Sequence, residues 1–400
     1  MQKKVLPVLF VTLLIDMIGI GMIIPIIPVI FTNPASPEFL LGGYSTQMQY
    51  LIAGLVTALF GLMQFLAAPL LGELSDVYGR KKLLTLGVAV LALSQMLFGF
   101  GIQIGSIALI LFSRLIAGIA GANFSIAQAS IADVTAPADR AKNFGLIGAA
   151  FGVGFILGPL LGGWIAGLTH HAASPFFLAG ILGIVNLLSI TYFLPETHTN
   201  RVAAKTFHLF KGIQNIKHAA TDLRVRHLYL ANFLYISGFT FFTTFVGIFL
   251  GARFGLNETA IGTFYGVVGI WMVITQVAVV RVATRLYGER TILRFSLALQ
   301  GASLVAYALA PSLLWLYAVV PFTAVAAGLS MATFGALISK SAGPEKQGAT
   351  LGINGSLQAL SQGVIPLLAG VAGGMGLATP FILGAGLVAV SWGVLFLVRR

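Results

Sequence analysis

The sequence predicts an all-α membrane protein with twelve transmembrane helices arranged in two six-helix halves. Three observations predict this fold: the composition, the spacing of long apolar runs, and a repeat between the two halves of the chain. Of the 400 residues, 58% are hydrophobic and 8% are charged, whereas soluble domains carry about 25% charged residues. A surface this poor in charge could not be hydrated, which excludes a cytosolic enzyme.

Twelve apolar runs are long enough to cross a bilayer, since a transmembrane helix needs about 20 mainly apolar residues. They lie near residues 5–31, 47–70, 83–101, 105–132, 144–168, 174–194, 228–251, 260–280, 291–310, 313–338, 348–371 and 377–398. The first run is too long and too rich in Pro and Gly for a signal peptide, so we expect it to remain as the first helix. The runs divide the chain into a first half (1–194), a cytoplasmic central loop (195–227) and a second half (228–400).

The basic residues lie on one side of these runs. All 23 Lys and Arg residues except Arg114 and Arg253 fall in segments that face the cytoplasm when both termini are cytoplasmic. This is the positive-inside distribution, so the net charge of +12 reflects membrane topology and not nucleic-acid binding. The basic stretch Lys205–Arg226 could form a helix on the inner leaflet or a solvated linker.

The two halves repeat each other at a spacing of about 207 residues. Gly145–Gly163 is echoed by Gly352–Gly370, and Gly79-Arg80 by Gly288-Glu289. Six helices repeated in parallel predict a transporter with its substrate cavity between the halves. No Gly-Lys dipeptide occurs, so the phosphate loop of an ATP-driven pump is absent. Transport would draw on an ion gradient or on the substrate's own gradient.

The sequence offers no catalytic, metal or cofactor site. It has no Cys, no His-Glu-x-x-His spacing, and no visible pair of nucleophile and base. His170 and His171 fall in an outer loop and are interpreted as solvated residues. We therefore expect neither an enzyme nor a cofactor.

Several motifs resemble a known family. Gly72-Glu-Leu-Ser-Asp76-Val-Tyr-Gly79-Arg80-Lys81 is similar to the signature between the second and third helices of the major facilitator superfamily. The antiporter motif of the fifth helix is matched by Gly145, Gly154, Gly158, Pro159, Gly162 and Gly163. The first helix, with Asp16-Met-Ile-Gly19-Ile-Gly21 and Pro25-Ile-Ile-Pro28, resembles the drug:proton antiporter group. With Ile131-Ala-Asp133 and Leu194-Pro-Glu196-Thr-His198, the first half resembles the tetracycline-efflux proteins.

The resemblance implies a multi-pass protein of the bacterial inner membrane that exports a small organic compound or drug in exchange for protons. Its partners would be that substrate, protons and membrane lipid, without nucleic acid, and we expect a monomer. An alternative is a carrier of a specific metabolite or siderophore on the same scaffold. A receptor or scaffold that does not transport is a further alternative, although the gating motif would then have no task.

Two ionisable residues lie within predicted spans. Asp16 is the only carboxyl group deep in any of them, and such a group can take up and release the proton of a coupled cycle. Arg114 needs a partner or a water-filled cavity at its depth, and the resemblance implies a role in proton coupling or substrate binding. The alternatives are an Asp16 that only fixes helix packing and an Arg114 tethered to backbone carbonyls.

The resemblance also implies a gate formed by Gly72, Asp76, Gly79, Arg80 and Asp133, which would latch the halves when the cavity faces outward. Asp76 and Arg80 share a face if their loop is helical, and Asp133 could reach Arg80. The alternative is a plain basic loop. Pro159 would bend the fifth helix and let another helix approach, in a motif that the family associates with exporters.

The substrate cavity is expected from uncharged polar and aromatic residues in the spans. Candidates are Gln64, Asn123, Gln128, Tyr265, Trp271, Gln300, Asn354 and Gln358. Each could equally form a helix-to-helix hydrogen bond. Such a lining would suit a mostly apolar ligand with a few hydrogen-bonding groups.

The sequence also departs from the tetracycline-efflux pattern. Membrane acids of the third and ninth helices are replaced by Ser94 and Gln300, a basic residue after Asp76 by Val77, and a histidine of the eighth helix has no counterpart near Met272. A metal–tetracycline cation would find fewer negative partners here. These neutral positions favour the metabolite carrier.

Overall fold

The computed structural model describes residues 2–135, 140–198, 211–221, 225–341 and 347–397. Within these ranges the regular structure is helical and contains no β-strand. The predicted all-α class is confirmed.

The helices follow one another with short connections. In the first part of the chain they are Gln2–Gly21, Ile23–Phe31, Thr46–Tyr78, Arg80–Gln103, Ile107–Ala120, Asn123–Val134, Arg140–Thr169 and Ser174–Phe193. In the rest they are Lys211–Thr221, Arg226–Phe254, Glu258–Ile274, Val280–Leu286, Glu289–Ala308, Leu313–Ser341, Gln347–Met375 and Thr379–Val394. A π-helical segment, Thr275–Val279, joins two of them, and a 3₁₀ turn, Leu395–Leu397, follows the last.

Eleven of the described stretches are long and apolar enough to cross a membrane, and Thr379–Val394 is a shorter apolar helix. Together they give the twelve predicted spans, numbered here from first to twelfth in chain order. The first span combines Gln2–Gly21 with Ile23–Phe31, the fourth combines Ile107–Ala120 with Asn123–Val134, and the eighth runs from Glu258 to Leu286. The helix Lys211–Thr221 is not among them.

The break in the first span has a local cause. Pro25 lacks the backbone N–H that would donate to the carbonyl of Gly21 in a continuous helix, and the helix is interrupted at Met22. The signature segment differs from its interpretation as a loop: the second span continues as helix to Tyr78, and Gly79 alone separates it from the third.

By their internal contacts the residues form two compact units. The first consists of residues 1–42, 59–211 and 257–263, and the second of residues 43–58, 212–256 and 264–400. In the first unit, the first span packs on the fifth and sixth, and the third packs on the fourth and sixth. Its core includes Leu9, Leu84, Val88, Ile126 and Ile190.

The second unit has a core rich in aromatic rings. The seventh span packs on the eleventh and twelfth, and the ninth packs on the tenth and twelfth. The ring of Tyr307 lies 4.9 Å from that of Phe242 and 5.8 Å from that of Phe381, measured between ring centres.

Candidate functional site

Asp16 lies in the middle of the first span with 6% of its surface exposed. Its Oδ2 accepts a hydrogen bond of 3.2 Å from Nδ2 of Asn123, on the fourth span. A Cβ atom at Gly87, on the third span, would overlap Oδ1 of Asn123. The absence of a side chain at Gly87 therefore allows Asn123 to reach Asp16.

A small cavity of about 10 Å³ adjoins Asp16, about the space that one water molecule requires. Its lining comes from the first, third and sixth spans: Ile15, Asp16, Gly19, Val88, Leu91, Ala92, Gln95, Ala179 and Gly183. Asp16 and Gln95 are the two side chains in this lining that can form hydrogen bonds. The buried acid thus faces a polar side chain of the third span across a water-sized space.

Arg114 lies on the fourth span with 2% of its surface exposed. One terminal nitrogen of its guanidinium donates to Oε1 of Gln95 over 3.4 Å, and its central carbon lies 4.8 Å from the ring centre of Phe98. Its Nε has no acceptor among the residues that the structure describes. In that same part of the chain it forms no ion pair. A cation over an aromatic face is stabilised by the ring quadrupole, but Arg114 has no direct bond to Asp16.

Gln95 is the residue that the sequence reasoning missed. It is 2% exposed and lies between Asp16 and Arg114, whereas its neighbour Ser94 bonds the carbonyl of Leu91 in its own helix. A usable signal existed, because Gln95 is the only amide side chain in the predicted third span.

The glycines of the antiporter motif divide between two partners. Gly154, Gly158 and Gly162 follow each other at four-residue spacing and face the first span, where added Cβ atoms would collide with Met17, Gly21 and Met22. Such spacing lets two helix backbones touch. The seam begins one residue after Asp16.

Gly163 belongs to a different contact. A Cβ there would overlap the carbonyl of Glu258, and Gly262 approaches the carbonyl of Pro159 in the same way. The fifth span therefore packs on the start of the eighth along this second face. Gly145 lies in the same helix.

The structure brings Asp76, Arg80 and Asp133 together at the start of the third span. Arg80 is buried, with 8% of its side chain exposed, and its guanidinium bonds Asp76 at 2.6 Å and Asp133 at 3.1 Å. It also donates to the hydroxyl of Ser75 and, over 3.5 Å, to the carbonyl of Gly72. A fork-shaped guanidinium suits several acceptors at once. Gly72 has open space where a side chain would stand, so its contribution here is its carbonyl.

Glu196 completes this network, although it was noticed only as part of a motif. Its Oε1 accepts from the backbone N–H groups of Arg80, Thr197 and His198 at 2.9, 3.0 and 3.1 Å. The carboxylate thus caps the start of the third span, where the helix dipole favours negative charge. Gly79 has a positive φ of 99°, and a Cβ there would overlap the Glu196 carboxylate. His198 places Nδ1 3.7 Å from Oδ2 of Asp133.

The second unit carries a related pair with opposite charges. Glu289, at the start of the ninth span, bonds Lys340, near the end of the tenth. These positions correspond through the sequence repeat to Arg80 and Asp133, with acid and base exchanged. The pair is far more exposed, with 69% of Lys340 and 30% of Glu289 accessible.

The predicted cavity residues do not form one set. Several are engaged within their own unit: Gln64 donates to the carbonyl of Gly121, Tyr265 donates to that of Thr243, and Asn354 accepts from Asn232. Gln300 is fully buried, and its amide atoms have no hydrogen-bond partner among the described residues. Gln128, Trp271 and Gln358 are partly exposed.

Comparison with known proteins agrees with this arrangement. A sequence model of the Major Facilitator Superfamily matches residues 9–366. The class C tetracycline resistance protein of Escherichia coli is 30% identical over 92% of this chain and 89% of its own length. Multidrug resistance protein 2 of Bacillus subtilis is 26% identical over 98% and 94%. The crystal structure of the human organic anion transporter MFSD10 superposes with a TM-score of 0.75 at 25% identity, covering 98% of this chain and 99% of that one.

Proposed function

The chain belongs to the major facilitator superfamily, and from this premise we propose that it exports a small organic compound across the bacterial inner membrane in exchange for protons. Its relatives and its fold are those of multi-pass membrane transporters and not of enzymes. The observation that carries the proposal is Asp16, a buried carboxyl group at membrane depth whose described partner is a neutral amide. Tetracycline resistance and multidrug resistance relatives support an exported drug.

The proposed cycle turns on the protonation of Asp16. A proton that enters from outside neutralises the carboxyl group, and the substrate is released outward. Loss of that proton to the cytoplasm restores substrate affinity. Asn123 and the cavity beside Asp16 provide the polar surroundings that a carboxyl group needs in either state, and Arg114 modulates it from the fourth span.

The gate of this cycle is the network of Gly72, Asp76, Gly79, Arg80 and Asp133. Alternating access needs an element with two discrete arrangements. Making and breaking the bonds of the Arg80 guanidinium supplies such an element at the cytoplasmic ends of the second to fourth spans. The glycine seam with Pro159 holds the first and fifth spans together and limits leak.

The remaining assignments follow the charge distribution and the repeat. Both termini lie in the cytoplasm, and the protein acts as a monomer in contact with membrane lipid. Residues 1–194 and 228–400 form the two halves around the substrate cavity, with 195–227 as the central loop. The cavity is lined from the candidate set of Gln64, Asn123, Gln128, Tyr265, Trp271, Gln300, Asn354 and Gln358.

The decisive experiment measures accumulation of tetracycline and of the cationic dye ethidium in bacteria that express the protein. Wild type, Asp16→Asn and a protonophore control run together. Glu38→Gln is the matched control, because this carboxylate lies outside the spans and bonds the backbone of Ala172. We expect lowered accumulation that Asp16→Asn and the protonophore abolish and Glu38→Gln retains. Full export by Asp16→Asn would refute the proton site.

A carrier of a specific metabolite or siderophore is the second candidate, and an organic anion is its most specific form. Arg114 is a buried cation without an acidic partner in the described chain, and one structural relative is named an organic anion transporter. An anionic group on the substrate would pair with this guanidinium. Transport of carboxyfluorescein that is lost in Arg114→Gln, with no effect on tetracycline or ethidium, would favour this candidate.

A further inference from the structure

The amide of Gln95 has a definite orientation between two charged groups. Its oxygen faces the guanidinium of Arg114 at 3.4 Å, so its NH₂ group faces away from the cation. That NH₂ group lies against the first span at Gly19, where an added Cβ would be 2.8 Å from Nε2. An acceptor thus meets the cation, and a donor points toward the helix that carries Asp16.

Gly19 lies three residues after Asp16 and therefore on nearly the same face of the helix. Its missing side chain lets Gln95 approach, and both Asp16 and Gln95 line the cavity of about 10 Å³. A bridging water forms nearly as good a link as a direct hydrogen bond. The NH₂ group can therefore act on the carboxyl group through a single water-sized space.

We propose that Gln95 is a positioning residue that links Arg114 to Asp16: its oxygen holds the guanidinium while its NH₂ group donates, across the shared cavity, toward the carboxyl group. The inference rests on the proposed function insofar as Asp16 is the proton site. It adds a route by which the charge of Arg114 acts on an acid that it does not touch.

No other charged group competes for this role at that depth. The third to sixth spans pack against the first. Apart from groups in their first or last turns, Arg114 is the only charged or titratable side chain that these four spans carry. The groups at the ends are Arg80, Lys81, Lys82, Asp133 and Tyr192.

Two substitutions separate the chemistry of Gln95 from its shape. Gln95→Met keeps a long side chain of similar volume but removes both polar atoms. Gln95→Glu keeps an acceptor for Arg114 but removes the NH₂ donor. Ser94→Ala is the matched control, because Ser94 is equally buried in the same helix and its hydroxyl bonds only its own backbone.

The test follows the protonation of Asp16 in purified protein by infrared spectroscopy, without any substrate. The band of the protonated carboxyl group is assigned by its absence in Asp16→Asn. We expect the pH at which this band is half developed to move by about one unit in Gln95→Met and in Gln95→Glu, and to stay at the wild-type value in Ser94→Ala. In an Arg114→Gln background, Gln95→Met should produce no further movement. Thermal unfolding checks that each variant is folded, and Gln95→Glu decides if Gln95→Met does not fold.

Titration of both Gln95 variants with the wild type would overturn the inference, as would equal shifts with and without Arg114. Because the readout needs no transport, it is separate from the proposed function. Full export by Asp16→Asn together with a shifted band would reject proton coupling and leave the link through Gln95 intact. Abolished export by Asp16→Asn with an unmoved band would do the reverse.

Discussion

Asn123 reaches Asp16 only because Gly87 stands behind it. The amide Nδ2 of Asn123 donates to the carboxyl group over 3.2 Å, and its Oδ1 occupies the position that a Cβ of residue 87 would need. A residue without a side chain on the third span thus sets a hydrogen bond between the fourth and the first.

Gly87→Ala should therefore weaken export by displacing Asn123 from Asp16. A hydrogen bond to a charged group contributes about 1.5–3 kcal/mol, which corresponds to roughly a 10- to 100-fold loss in rate. Initial export rates of a fluorescent substrate measure the effect. Gly148→Ala is the control, because an added Cβ there meets no atom within 4 Å.

The same relationship predicts that two substitutions are not additive. Asn123→Ala removes the amide that Gly87→Ala displaces, so the double variant should transport no worse than Asn123→Ala alone. Independent losses that multiply in the double variant would show that Gly87 acts by another route.

Gly158→Ala should destabilise the contact between the first and fifth spans. Its Cβ would lie 2.8 Å from the Cα of Gly21 and 2.8 Å from the carbonyl oxygen of Ile18, and overpacking of this kind costs about 1–3 kcal/mol. Thermal unfolding in detergent measures the loss. Gly152→Ala, in the same helix with open space at its Cβ, should leave the unfolding temperature unchanged or slightly raised. Equal behaviour of the two variants would contradict the seam.

Removal of the Arg80 side chain should cost much more than removal of its counterpart in the second unit. Arg80→Met leaves the acids Asp76 and Asp133 without their buried cation, and breaking such a pair costs about 3–5 kcal/mol. Lys340→Met breaks an exposed pair with Glu289, which is worth about 0–1 kcal/mol. Unfolding and export are measured for both. Comparable losses would mean that exposure does not distinguish the two networks.

Glu196→Ala should loosen the start of the third span. Loss of a helix cap costs about 0.5–2 kcal/mol, and here three backbone N–H groups lose their acceptor. Hydrogen exchange of the Arg80 amide should increase. Glu196→Gln keeps an acceptor oxygen, so it should recover part of the protection, and the remainder measures the charge at the helix terminus. Wild-type exchange in Glu196→Ala would exclude the capping role.

The sequence by itself determined the number, length and order of the spans. Hydropathy is a sum over neighbouring residues, so a run such as 174–194 could be assigned without knowing what it contacts. Four-residue spacing likewise placed Gly154, Gly158 and Gly162 on one helix face. The proximity of Asp76 and Arg80 followed from their separation along one chain segment.

Only the tertiary structure decided which side chain meets which. The link from Arg114 to Gln95, the cap that Glu196 places on Arg80, and the division of the glycine motif between the first and eighth spans join residues far apart in the chain. Each depends on the rotation and axial position of one helix against another, and a rotation of one residue turns a side chain by about 100°. Hydropathy is nearly blind to that rotation in a membrane span, because such a helix is apolar on every side.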